Sequence, residues 1–163
     1  MNRNLSLPLA ALVFAVTLVP GPPALAAEDH HHHGEHGATV QKLQLNAGKK
    51  WATDAVLRQS MNDINQAMAK SLPLIHKDHF GDSDYVTLAT TINQKIGHAI
   101  EHCNLDAKTD AMLHLIIAEL MAGAEIMEGK AAGARHDGAV RVKRALESYG
   151  KYFQHPNWKV ARG

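Results

Sequence analysis

Four stretches of this chain repeat apolar residues at every third or fourth position, and that spacing restricts it to packed helices. Leu57, Met61, Ile64, Met68 and Leu72 form the first stripe. Tyr85, Ala89, Ile92, Ile96, Ala99 and Cys103 form the second, and Ala139, Val142, Leu146, Tyr149 and Phe153 the fourth. A spacing of 3.6 residues per turn places each set on one helical face. The third stretch is denser. Its Met112, Leu113, Ile116, Ile117, Leu120, Met121, Ala124 and Met127 cover more than a narrow stripe, which marks the most buried helix.

Local signals set the expected limits. Thr53 offers an N-cap with Asp54 in the first turn, so the first helix is expected from about Asp54 to Ser71, where Pro73 disfavours helical geometry at Leu72. Gly81 marks a loop, Ser83 or Asp82 caps the second helix, and Thr109 caps the third. Gly129 and Gly133 end the third helix, and Pro156 stops the fourth. Short connections between amphipathic helices imply an all-α, up-down-up-down antiparallel four-helix bundle. A sheet is excluded on composition: no β-branched alternating run occurs outside the first twenty residues, only 5% of residues are aromatic, and alanine is abundant in every periodic segment.

The N-terminus reads as an export signal. Arg3 supplies a positive start, residues 5–19 an apolar run, and Pro20 to Pro23 a break ahead of the small residues Ala24 to Ala27. Such a run is too short and too proline-bounded to span a membrane, which takes about 20 apolar residues. The expected organisation is a signal peptide over 1–26, a flexible histidine-rich arm over 27–50, and a bundle domain over 51–163, with Trp51 starting the packed part. Cleavage after Ala26 competes with cleavage after Ala27. The mature chain is then expected in the periplasm, with no membrane association once the signal is removed. Without Arg3, the seventeen basic residues become sixteen against sixteen acidic ones. A neutral domain makes a poor partner for nucleic acid.

Histidine is the residue type that points to chemistry. Of twelve histidines, five stand in the seven-residue run His30, His31, His32, His33, Gly34, Glu35, His36. Imidazole is a ligand for divalent copper, zinc and nickel, and a flexible run can wrap several nitrogens round one ion. Cleavage after Ala27 would also expose Glu28, Asp29, His30 as a new N-terminus. Its amine, two backbone amides and imidazole form the square plane that Cu(II) and Ni(II) prefer. The plainer reading of the run is a solvated spacer.

A second set of donors lies in the helices: His98, His102, Cys103 and His114, with Met61, Met68, Met112 and Met121 on facing helices. His98 and His102 are one turn apart and share a face, although that face flanks the Ile96, Ala99, Cys103 stripe. Thiolate and thioether ligands would favour Cu(I), and imidazoles alone zinc or Cu(II). Against a site inside the bundle, methionine at helical spacing is usually core, and the histidines can simply face water. Cys103 is the only cysteine, so no intramolecular disulfide can form. Buried packing, metal ligation and a bridge between two chains are the roles open to it.

Other bundle chemistries fit less well. No CxxCH occurs, and Asp110 with His114 does not replace the paired Glu-x-x-His motifs of di-iron bundles. A b-type haem held by Met61 and His114 is arithmetically open and a distant third. No glycine-flanked nucleophilic serine or phosphate loop is present, and Glu119 and Glu125 read as the solvent edge of the third helix, so an enzyme is not expected.

Three strings carry a resemblance: LQLNAGKKWATD with LRQSM across Leu43 to Met61, CNLDAKTDAMLHLIIAELMAG across Cys103 to Gly123, and YFQHPNW across Tyr152 to Trp158. Together they resemble a family of small exported bacterial proteins with the label DnrO-like. The resemblance implies export and a helical fold, and assigns no activity and no site residue. The expected function is a periplasmic, non-enzymatic metal-binding protein, copper first and zinc or nickel next, for binding, buffering or delivery. The alternative is a metal-free interaction or structural protein that docks another exported protein.

Overall fold

The computed structural model describes residues 41–162, and the signal segment and the run His30 to His36 lie outside them. Four helices follow in order: α1 Ala55–Ile75, α2 Asp82–His102, α3 Ala107–Glu128 and α4 Arg135–Tyr152. Each helix packs on its neighbours in sequence, and α4 returns to α1, which makes the expected up-down-up-down bundle. The stripes meet in one core containing Leu57, Met61, Ile64, Met68, Ile92, Ile116, Leu120, Met127, Val142 and Leu146.

Carboxylates take over the caps expected of hydroxyls. Asp54, rather than Thr53, caps α1, its Oδ1 accepting from the Leu57 amide at 2.7 Å. Asp106 caps α3, accepting from the Lys108 and Thr109 amides at 3.0 and 3.1 Å, while Thr109 sits buried inside the first turn. A charged acceptor with two oxygens satisfies more of the free amides at a helix start than one hydroxyl can. At α2 the cap is Gly81, and Asp84 reaches back to accept from its amide at 2.9 Å, so neither Ser83 nor Asp82 serves. Gly129 ends α3 in the left-handed region at φ +75°, as expected of a C-terminal glycine.

The first helix runs four residues past its expected end, through Pro73 to Ile75. Interior proline costs about 3 kcal/mol. The last turn offsets that cost by burying Leu72 and Ile75, each 3% exposed and each contributing about 1.5–3 kcal/mol. Pro73 and Leu74 face solvent.

Two close approaches shape the bundle. Gly123 of α3 and Gly138 of α4 stand back to back: a Cβ on Gly138 would lie 2.5 Å from the Gly123 carbonyl oxygen. At the α1–α4 seam, chain outside the helices fills the space. Trp51 donates its amide to Tyr152 O and accepts from the Gln154 amide, both at 2.8 Å. The Asn65 side chain donates to Lys159 O at 2.9 Å and accepts from the Ala161 amide at 2.8 Å, strapping the tail onto α1. Packing also begins before Trp51. Leu43 lies against the core, and the Trp51 indole donates to Gln44 O at 2.6 Å.

Candidate metal donors and the end of the bundle

Helix geometry decides where each candidate donor goes. On α2 the buried stripe is Ile92, Ile96 and Ala99, and His98 and His102, one turn apart, lie on a face that flanks it. His98 and His102 are accordingly exposed. Their rings lie side by side, centroids 4.5 Å apart and planes tilted by 31°. The Nδ1 of His102 sits 3.0 Å from the His98 carbonyl oxygen. His114 is exposed on α3, its Nδ1 3.0 Å from Asp110 O and 3.3 Å from the Asp110 carboxylate.

Cys103 turns the other way. It ends α2, half-buried, beside the Asp54 cap, whose second oxygen accepts from the Asn104 amide at 2.7 Å. Burial, and then the Asp54 carboxylate, push its thiol up to about 11. A neutral thiol is a poor ligand, because the thiolate is what binds metal.

The structure does not bring His98, His102, Cys103 and His114 together: three imidazoles stand on the outer surface and the thiol packs inward. Among the described residues, no three histidine, cysteine, aspartate or glutamate side chains gather as a group that could hold a metal ion. Met61, Met68 and Met112 are sealed in the core, while Met121 is 43% exposed. Buried Met61 and solvent-facing His114 likewise lack the facing geometry of a haem axial pair. His30, His31, His32, His33 and His36 lie outside the described residues. Glu119 does mark a solvent edge, where Arg141 grips it through two bonds of 2.8 and 3.0 Å and holds its carboxyl below the usual range.

A polar cluster that periodicity did not reveal lies at the end of the bundle where α1 begins. Tyr149, fully buried, has its hydroxyl 3.0 Å from Nδ1 of His155. Burial raises the phenol, and burial followed by the Arg58 charge lowers His155, so both are neutral near pH 7. Arg58 donates to Thr53 O at 2.5 Å and to Thr53 Oγ1 at 3.1 Å. Tyr149 reads as core from its stripe, and His155 lies past the last periodic residue, so no spacing joins them. The Tyr149–His155 contact ties the tail to α4.

Fold and surface together define an all-α four-helix bundle with His98, His102 and His114 on its outer surface. No protein-family model matches the chain, and neither a curated protein nor a solved structure matches it. Among the described residues, no helix is long and apolar enough to cross a membrane.

Proposed function

We propose that this is a periplasmic, non-enzymatic metal-binding protein that takes up Cu(II) first and zinc or nickel next, for binding, buffering or delivery. The observation that carries the reading is the run of five histidines within His30 to His36, placed after a signal-like segment and ahead of a folded domain. Imidazoles at that density wrap a divalent ion without a preformed cavity. In the bundle the core is filled by aliphatic, methionine and aromatic side chains, and His98, His102 and His114 are exposed. The DnrO-like resemblance of Leu43–Met61, Cys103–Gly123 and Tyr152–Trp158 fits export and adds no activity.

The test is a titration of the purified mature chain with Cu(II), Cu(I) and Zn(II), beside a chain lacking residues 28–36. Loss of one ion per chain on the deletion is the expected result. An unchanged stoichiometry removes the arm from the proposal. Binding no tighter than about 10 micromolar, roughly 7 kcal/mol, would transfer the protein to the metal-free interaction class.

A further inference from the structure

We propose that His98 and His102 form a two-imidazole site for a divalent transition-metal ion on the outer face of α2, distinct from the N-terminal histidine run. The assignment rests on the metal-binding reading and places an ion on the folded domain.

Three observations carry it. The two residues are one turn apart in the unbroken last turns of α2, so the backbone holds their Cβ atoms as neighbours without any loop to order. Their rings already lie in one place, with centroids 4.5 Å apart. Ligation at about 2.0–2.1 Å per nitrogen needs two ligating atoms about 3 Å from each other, and the paired rings place two imidazoles side by side for it. Finally, a carbonyl oxygen only accepts, so the 3.0 Å contact between His102 Nδ1 and His98 O puts the proton of His102 on Nδ1. That leaves Nε2, at the outer end of the ring, as the free lone pair. Fixing one nitrogen to a backbone carbonyl so that the other can bind metal is the usual role of the outer partner of a ligating histidine.

The surroundings suit a cation and set its kind. A Glu101 carboxylate oxygen stands 4.0 Å from His102 Nδ1. Lys95, three residues before His98 on α2, is matched by Asp63 of α1 at 2.8 Å. Both imidazoles are open to solvent, so water completes the coordination sphere. Cys103 is the next residue, but its side chain packs inward beside Asp54, and the donor set on this face is imidazole without sulfur. Such a set takes Cu(II), Ni(II) or Zn(II) rather than Cu(I).

The experiment uses the full mature chain with His30, His31, His32, His33 and His36 all changed to Ala, titrated calorimetrically with Ni(II) and with Cu(II). One ion per chain at micromolar affinity is expected. His98→Ala and His102→Ala should each weaken it by about tenfold or more, and His136→Ala on α4 should leave it unchanged. Electron paramagnetic resonance of the Cu(II) form should report two coordinated imidazole nitrogens, and one in either variant. No binding by the arm-substituted chain, or affinity untouched by both α2 substitutions, overturns the assignment. If the intact chain still binds while the arm-substituted chain does not, only the α2 site is lost. Binding confined to the α2 pair would instead leave this site standing and dismiss the arm.

Discussion

Placing a methyl group on Gly138 tests the α3–α4 contact more sharply than any change in the apolar core. The added Cβ would lie 2.5 Å from Gly123 O, 2.9 Å from the Met127 amide nitrogen and 2.8 Å from Met127 Cγ. Two of those three atoms are backbone, so rotating a side chain cannot clear them, and the helices must move apart. Overpacking of this kind costs about 1–3 kcal/mol, and spreading a seam as tight as this belongs at the upper end. The gain in helix propensity from Gly to Ala, about 1 kcal/mol, acts against it. A net loss of about 1–2 kcal/mol is expected for Gly138→Ala. Gly97, inside α2 with nothing within 4 Å of its Cβ position, is the control. Gly97→Ala keeps the propensity gain alone and should stabilise by about 0.5–1 kcal/mol. At about 4 °C per kcal/mol for a domain of this size, thermal unfolding followed at 222 nm should move down by roughly 4–8 °C for the first variant and up by roughly 2–4 °C for the second. A Gly138→Ala protein as stable as Gly97→Ala would refute the close backbone approach.

Three further outcomes follow from the geometry. With its thiol pushed from 9.0 to about 11, Cys103 holds about 100-fold less thiolate at pH 8 and, after the greater nucleophilicity of a more basic thiolate, should be alkylated about tenfold more slowly than an unperturbed cysteine. Asp54→Asn should speed that reaction by removing the neighbouring charge, so a variant rate equal to the parent's would discount Asp54. His155 has a folded-state pKa below its ordinary 6.5, so the unfolded chain binds more protons there, and its contribution is present above that value and lost as pH falls through it. Denaturant midpoints measured from pH 7.5 to 5.5 should therefore decline, and His155→Gln should flatten the decline; an identical slope in both proteins would dismiss the residue. Asn65→Ala removes both tail hydrogen bonds and should cost about 1–2 kcal/mol with a red-shifted tryptophan emission from Trp158, whereas unshifted emission would mean the tail is held without Asn65.

The helices were legible because burial itself wrote the pattern: Leu57, Ile64, Ile92, Ile116 and Leu146 occupy the core that their spacing predicted. Boundaries were less legible. Asp54 and Asp106 outcompete the hydroxyls of Thr53 and Thr109, and a last turn anchored by Leu72 and Ile75 carries α1 past Pro73, since tertiary burial overrides a local penalty. Gly123 and Gly138 are ordinary helix-weakening residues until two backbones are known to touch. Among the candidate donors, the outward placement of His98 and His102 could be read from their angle to the Ile96 stripe. The inward placement of Cys103 follows its stripe, but the contact of its thiol with Asp54 depends on how α1 and α2 end against each other, and the pairing of Tyr149 with His155 depends on how the tail folds back. Neither has a period to betray it.

The Asn65 strap gives the fold an order of assembly. Asn65 waits in the first helix for backbone atoms at Lys159 and Ala161, 94 and 96 residues later. During synthesis from the N-terminus, α1 can pair with α2 early, yet Asn65 has nothing to close on until residues 159–161 have emerged. Closure of this flank of the bundle is in this way coupled to synthesis of the segment that follows α4.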